Sequence, residues 1–375
     1  LTDRTNWFDE TYKTGNNQNY QVAISDGTEK LRYYLSGGYL NETGVIQKAF
    51  FKRYNFRANI ENNVRSWLTV NANVAYSDYS NNGIITGQGA NRGGVVLSVI
   101  NTPTFAPIMD PFQPEQYYTN FYGVNITSPL ENIARSERNK NRENRIVGST
   151  SATIKFTPWL NFKSSFALDR RNAVSTTFLD PLSTSWGRNQ YGEGSDARNI
   201  NTLTTFDNVL TYQKTFGKHQ VEAMAGSSWT SSLYSNNWVK ATHYRNNLIE
   251  TLNVANKINW GDTGSGASQW AIMSYFGRFS YNYDSKYLIT ANMRTDGSSK
   301  LHPDHRWGVF PSVSAAWRLS AEDFLSDVSW LNDLKIRGGW GQTGNQSGLG
   351  DYSYLTMYNL RRLEWFLAGQ ENILP

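Results

Sequence analysis

Among the side chains that could do chemistry, the four histidines come first: His219, His243, His302 and His305. His302-Pro303-Asp304-His305 places two imidazoles and a carboxylate close together, the group types that ligate zinc. A zincin-type pair needs both imidazoles on one helix, and Pro303 breaks such a helix, so no metal is expected there. The chain has no cysteine, which removes thiolate metal sites, a cysteine nucleophile and a disulfide scaffold. The glycine-rich stretches Gly261 to Gly266 and Gly338 to Gly344 lack the Lys-Ser/Thr and following helix of a phosphate cradle. Gly338 and Gly339 are expected instead to relieve crowding on a curved strand. Asp296-Gly297-Ser298-Ser299 reads as a turn, with glycine at positive φ and Asp and Ser capping their own backbone. Asp169, Asp207 and Glu222 supply the residue types of a glycosidase carboxylate pair. No cofactor and no catalytic constellation are expected.

Such residues must be positioned by elements, and composition bounds the elements available. The chain has 375 residues, 39% hydrophobic, 14% aromatic and 18% charged, with 13 Trp, 22 Tyr and 18 Phe. No run approaches the ~18 consecutive apolar residues of a membrane-crossing helix. The net charge of +5 is small and scattered. The densest run, Arg135 to Arg145, alternates cations with Glu and Asn and reads as a solvated loop, so no nucleic-acid partner is expected. The chain begins at Leu1 with no signal-peptide pattern and reads as a fragment.

Helical periodicity is scarce, whereas period-2 alternation runs along the chain. Leu160, Phe162, Phe166 and Leu168 oppose Asn161, Lys163, Ser165 and Asp169. Leu68, Val70, Ala72, Val74 and Tyr76 oppose Thr69, Asn71, Asn73 and Ser77. Tyr275, Phe279, Tyr281 and Tyr283 oppose Arg278, Ser280 and Asn282. About twelve strands are expected, near 18–26, 29–41, 51–62, 67–80, 144–157, 159–172, 201–216, 219–231, 269–283, 287–296, 307–319 and 330–343. Many reach the ~9–11 residues that a tilted strand needs to cross a bilayer.

The connections alternate between short and long. Asp26–Thr28, Asn63–Ser66, Thr157-Pro158, Gly217-Lys218 and Asp284–Lys286 are short. Between them lie the longer links Glu42–Phe50, Asn81–Glu143, Ala173–Ile200, Ser232–Ser268 and Gly297–Arg306. The link Ser320–Ser329 is intermediate and is expected to hold a turn of helix at Ala321–Phe324. Short turns at one end and long loops at the other are the arrangement of outer-membrane barrels. Trp67, Trp159, Tyr287 and Trp330 follow short turns and Trp317 precedes one, as an interfacial girdle would. The expected fold is therefore all-β: part of an antiparallel transmembrane β-barrel with long extracellular loops and short periplasmic turns. Its polar, water-filled lumen accounts for Asp169, Asp207 and Glu222 more simply than catalysis does.

Several segments resemble one family. Thr5-Asn6-Trp7-Phe8-Asp9-Glu10, Asp26-Gly27-Thr28-Glu29-Lys30-Leu31-Arg32-Tyr33-Tyr34-Leu35-Ser36 and Gly38-Tyr39-Leu40-Asn41-Glu42-Thr43-Gly44 are similar to the barrel start of SusC/RagA-type TonB-dependent transporters. Ser274-Tyr275-Phe276-Gly277-Arg278, Arg294-Thr295-Asp296-Gly297-Ser298-Ser299 and Arg306-Trp307-Gly308-Val309-Phe310-Pro311 extend the resemblance, as does Leu334-Lys335-Ile336-Arg337-Gly338-Gly339-Trp340-Gly341. Thr295 and Lys300-Leu301 depart from the usual pattern.

The resemblance implies a barrel of about 22 strands plugged by an N-terminal domain, of which 1–362 would be a part and 363–375 a tail of unclear structure. The plug and the C-terminal strands would lie outside the chain. It further implies import of oligosaccharides or peptides across the outer membrane of Bacteroidota. The energy would come from TonB–ExbB–ExbD, engaged through the N-terminal segment that precedes Leu1, and a SusD-like surface lipoprotein would be the partner. Substrate contacts are then expected from the long loops, with Trp186, Arg188, Tyr191, Trp238 and Trp260 as candidates for stacking on sugars or hydrogen-bonding them. A secreted β-rich carbohydrate-binding or carbohydrate-active protein is the alternative; it would turn its apolar faces inward.

Overall fold

A computed structural model describes residues 4–86, 94–119, 127–325, 330–356, 366–367 and 370–371. The principal strands are β1 (Asn16–Gly27), β2 (Leu31–Thr43), β3 (Phe50–Arg65), β4 (Leu68–Asn81), β7 (Lys140–Thr157), β8 (Leu160–Leu179), β9 (Glu193–Phe216), β10 (His219–Thr242), β12 (Gly264–Tyr283), β13 (Tyr287–Ser298), β14 (Trp307–Arg318) and β15 (Lys335–Gly341). They are hydrogen-bonded in chain order, and the short β11 (Lys257–Ile258) pairs with β10. Two small ribbons stand apart, β5 (Met109–Asp110) with β6 (Gln113–Tyr117) and β16 (Phe366–Leu367) with β17 (Gln370–Glu371). Among the described residues β1 and β15 stand at the two ends of this order. Apart from β16 and β17, the expected tail 363–375 lies outside the described residues, as does the expected boundary at 362.

By internal packing the chain divides into two units: Leu1–Lys155, Lys163–Phe206 and Ser232–Ser268 in the first, Phe156–Phe162, Asp207–Ser231 and Gln269–Pro375 in the second. In the first unit the register aligns Tyr20 with Tyr39, Tyr39 with Tyr54, Phe56 with Tyr76, and Tyr76 with Ile146. Side chains alternate along each strand, so Val22, Ile24, Leu35, Tyr54, Phe56, Ile60 and Val74 share one face. The other face carries Arg53, Asn55, Arg57, Asn59, Asn71, Asn73, Arg145 and Ser149. The apolar face is not covered by a second layer: Val22 is 76% accessible. A sheet in water would bury such a face under a second layer, and an exposed apolar surface of this extent marks contact with another medium.

The second unit repeats the pattern. Tyr275, Phe279, Tyr281 and Tyr283 on β12 align with Thr295, Ala291, Ile289 and Tyr287 on β13, and these with Val309, Val313, Ala315 and Trp317 on β14. Met293 on this face is 60% accessible. Aromatic pairs close both ends of the face. Tyr287 stacks on Trp317 with ring centroids 6.3 Å apart, and Tyr275 stacks on Trp307 at 6.1 Å. Tyr275 to Tyr283 is nine residues, within the ~9–11 that span a hydrocarbon core.

The turn chemistry explains the hairpins. Asp284 and Ser285 both have positive φ, 51° and 57°, as a turn with the twist of a tight hairpin requires. Gly217 does the same at φ 60°. The expected turn at Asp296–Ser299 is corrected: Asp296, Gly297 and Ser298 belong to β13, and Gly297 is not among the positive-φ residues. A β-carbon on Gly297 would stand 2.8 Å from the indole of Trp307, so glycine is there to let that ring lie on the strand. The crowding expected at Gly338 and Gly339 divides: nothing lies within 4 Å of the β-carbon position of Gly338, whereas that of Gly339 would stand 3.2 Å from Ser314 Cβ and 3.3 Å from the Val313 carbonyl oxygen. The expected helical turn after β14 takes the form of 3-10 turns at Leu319–Ala321 and Asp323–Leu325.

Glu322, between those turns, clasps the short-turn end. Its carboxylate accepts from Trp317 Nε1 at 2.9 Å and Lys286 Nζ at 3.2 Å. Hydrogen bonds from the Tyr287 hydroxyl, the Trp317 indole and the Lys286 ammonium, in that order, hold its pKa down to about 2 from 4.5. The clasp therefore stabilises the fold fully above about pH 4.5 and is lost as the pH falls toward 2. Acid unfolding followed by tryptophan fluorescence is expected to flatten over that window in Glu322→Gln; an unchanged profile would remove the clasp from the account.

Candidate functional site

The polar face of the sheet is lined by paired charges. In the first unit Arg145 bonds Asp169 through two nitrogens, at 2.8 and 2.5 Å. Arg171 Nε reaches Glu143 at 2.6 Å, and Glu143 also accepts from the Tyr79 hydroxyl at 2.9 Å. In the second unit Arg294 Nε bonds Asp296 at 2.7 Å, and its guanidinium lies over the Phe276 ring at 5.7 Å. Arg278 Nε bonds Asn292 at 2.9 Å. Asp207 accepts from Ser228 at 2.5 Å. A carboxylate held bidentately by arginine is a poor acid or nucleophile, so Asp169 belongs to a solvated polar wall. The two histidines of the 302–305 stretch lie 6.4 Å apart between ring centroids, and His302 Nδ1 accepts from the Asp304 N–H at 3.3 Å. Among the described residues no group of three His, Cys, Asp or Glu side chains is placed to hold a metal.

The compact core of the first unit lies in its loops. The helix α1 (Trp7–Thr11) packs with α2 (Val95–Asn101) and α3 (Pro129–Ala134) around Trp7, Ile46, Val95, Val99, Ala106 and Ile133. The helix α3 starts where the sequence caps it: Ser128 Oγ accepts from the Glu131 N–H at 3.2 Å, with Pro129 at the first helical position. Two buried carboxylates then join the loops. Glu131 accepts from the Ser185 N–H at 2.7 Å, the Ser185 hydroxyl at 2.6 Å and Arg135 at 3.0 Å. Asp180 accepts from Asn247 and from the Leu182 and Ser183 N–H groups, with Arg138 at 3.4 Å. Burial pushes the Asp180 pKa up, but these bonds outweigh it and hold the carboxyl below its ordinary value.

Three of the five expected contact residues share one loop. Trp186 and Arg188 lie on α4 (Ser185–Asn189), and Tyr191 follows it. Arg188 Nη1 donates to the Ser183 carbonyl at 2.9 Å and the Leu182 carbonyl at 3.3 Å, so its charge is partly committed to its own loop. Tyr191 has φ 55° and stacks on His243, at φ 68°, with centroids 5.0 Å apart. The His243 N–H donates to the Gly192 carbonyl at 3.3 Å and the Tyr244 N–H to the Tyr191 carbonyl at 2.7 Å, so two non-glycine residues in the left-handed region are held together in an unusual local strain. Trp238 is corrected from loop to strand: it lies on β10, its ring 2.8 Å from where Gly264 would carry a β-carbon. Trp260 sits on a 3-10 turn and is 75% exposed. Glu131, Asp180 and Arg138 escaped the sequence reading. The Ser128-Pro129-Leu130-Glu131 start signal marks a helix but not that its glutamate is buried.

Gly187 shows how tightly the loop closes. A β-carbon there would lie 1.8 Å from the Asp180 carbonyl oxygen. Gly187→Ala is expected to release residues 180–192, read as a new limited-proteolysis cut in that segment with the sheet intact. A cleavage pattern identical to the parent would contradict this.

No family model matches the chain. It is 30% identical over 347 residues to the TonB-dependent receptor P39 of Formosa agariphila, covering 90% of this chain and 31% of that receptor. It is 28% identical over 375 residues to the TonB-dependent receptor SusC of Bacteroides thetaiotaomicron, covering 95% of this chain and 36% of SusC. Its fold matches the RagAB peptide transporter with a TM-score of 0.80 at 21% identity, over 98% of this chain and 41% of that one. The chain thus spans about a third of the length of the curated relatives it matches. The chain belongs to the SusC/RagA-type TonB-dependent receptors, proteins of the outer membrane. The outer membrane is also the setting that the exposed apolar band requires.

Proposed function

We propose that this chain forms the middle of the barrel of a TonB-dependent importer that carries oligosaccharides or peptides across the outer membrane. The observation that carries this reading is the sheet's two-sidedness: a nine-residue apolar band between stacked aromatics on one face of β12, and arginine–carboxylate pairs on the polar face. Lipid would meet the first face and the aqueous lumen the second. The long-loop side, which carries Trp186, Arg188, Tyr191 and Trp260, with Trp238 on β10, would meet substrate and a SusD-like lipoprotein. TonB–ExbB–ExbD would act through a segment that precedes the barrel. The chain itself would carry out no covalent chemistry; its relatives bear receptor names. A secreted carbohydrate-active protein would turn Val22, Phe279 and Met293 inward, whereas all three are exposed.

The test is deletion of the full-length gene in its host, with uptake of a panel of oligosaccharides and peptides measured beside a strain lacking TonB. Loss of the same substrate in both strains, with the protein in the outer-membrane fraction, is the expected result. A protein recovered in the soluble fraction, or uptake indifferent to TonB, would overturn the proposal.

A further inference from the structure

At the short-turn end of the second unit two lysines are neutralised by carboxylates. Lys218 Nζ lies 2.7 Å from Asp284, and Lys286 Nζ lies 3.2 Å from Glu322 and 3.7 Å from Asp323. Lys214 is held differently. On β9 it alternates in step with Phe206, Leu210 and Phe216, all exposed, so it stands on the apolar face two residues from the end of the strand. Its ammonium sits 4.3 Å from the ring centroid of Trp159 and 4.8 Å from that of Phe216. No ion pair of Lys214 is found among the described residues. Across the Gly217-Lys218 turn, His219 meets the Tyr281 hydroxyl through Nδ1 at 2.7 Å and the Tyr283 ring at 4.9 Å. Tyr281 and Tyr283 belong to the apolar row of β12.

A lysine paired with a carboxylate presents little net charge, whereas one held by ring faces keeps its full charge. Here that charge lies where the apolar band gives way to a ring of Trp and Tyr, the depth at which headgroups sit. Its lipid-facing placement excludes the aqueous lumen as its counterpart.

We propose that Lys214 binds the headgroup phosphate of an anionic glycerophospholipid of the periplasmic leaflet. The acyl chains would run along the Tyr212 and Leu210 row, and the rings of Trp159 and Phe216 would flank the glycerol. This rests on the reading of the chain as a membrane barrel.

The experiment uses the full-length receptor purified from outer membranes in detergent, with phosphatidylglycerol and phosphatidylethanolamine supplied equally and bound lipid counted by native mass spectrometry. Phosphatidylglycerol is expected to be retained about fivefold over phosphatidylethanolamine, the factor one lysine supplies near an anionic surface. Lys214→Gln is expected to bring the ratio near one, Lys214→Arg to keep it, and Lys218→Gln, at an already paired site, to leave it unchanged. A parental receptor that retains both lipids equally overturns the lipid site whatever the variants do. Displacement of phosphatidylglycerol by millimolar inorganic phosphate would identify a free-anion site and overturn it too. In either case a receptor still in the outer membrane leaves the barrel reading standing, whereas a soluble receptor overturns that reading instead.

Discussion

Arginine in place of Phe279 is expected to cost the assembled barrel about 2–4 kcal/mol. Phe279 lies midway along the apolar row of β12, opposite Ala291, with half its surface exposed. A guanidinium there would have to sit in hydrocarbon or drag water in, and near mid-band the side chain has little reach to either interface. Ser280, the next residue, faces the polar side and shares a hydrogen bond with Thr290 at 3.2 Å. Ser280→Arg, with the same charge one position along, is expected to cost under about 1 kcal/mol because the lumen solvates it. Urea unfolding of the full-length receptor from phospholipid vesicles, read by heat-modifiable gel migration, compares the two directly. Equal losses from both variants would mean that the two faces do not meet different media.

Trp7→Ala is expected to destabilise the loop core by about 3–5 kcal/mol, the usual cost of truncating a buried large aromatic. Trp7 is 2% exposed and packs in the cluster with Val95, Val99, Ala106 and Ile133. Its Nε1 donates to the Pro103 carbonyl at 3.0 Å, and Thr5 beside it bonds Thr104 and Ala106. The variant leaves a ring-sized void and an unpaired carbonyl together. The loss is expected to be local, because among the described residues none of the principal strands contributes to this cluster. Hydrogen exchange at 94–106 and 129–136 should accelerate while β12 to β14 keep their protection. Faster exchange in those strands as well would show that loops and sheet unfold as one.

The sequence made the strands legible where the medium differs across the sheet. Period-2 contrast is strong along Leu68–Tyr76 and Tyr275–Tyr283, because one side meets lipid and the other water. It fades along 173–179, 193–200 and 232–242, and there β8, β9 and β10 run on as regular ladder where loops were expected. With water on both sides, residues such as Ser235, Asn236 and Asn237 carry no alternation. At 24 residues each, β9 and β10 are more than twice the ~11 that cross a bilayer. For this reason the sequence around Trp238 reads as loop although it lies on β10. The helix α3 announces itself through Ser128 and Pro129, but the burial of Glu131 and the meeting of Trp7 with Val95 depend on segments far apart in sequence. Of the candidate contacts, the shared loop of Trp186, Arg188 and Tyr191 follows from their spacing. The stacking of Tyr191 on His243 does not.

The loop core also sets an order of events. The contacts that close it join Thr5 to Ala106 and Trp7 to Pro103, separations of 101 and 96 residues, whereas the hairpin from β12 to β13 closes over a three-residue turn. Loop-closure entropy grows with separation, and contacts of long range form late. Hairpins therefore zip first, and the loop core is completed only after the strands on either side of it have been laid down. Until then Trp7, Val95 and Ile133 are exposed, so a chain stalled in assembly carries protease-sensitive apolar segments on its long-loop side, and a finished one has buried them.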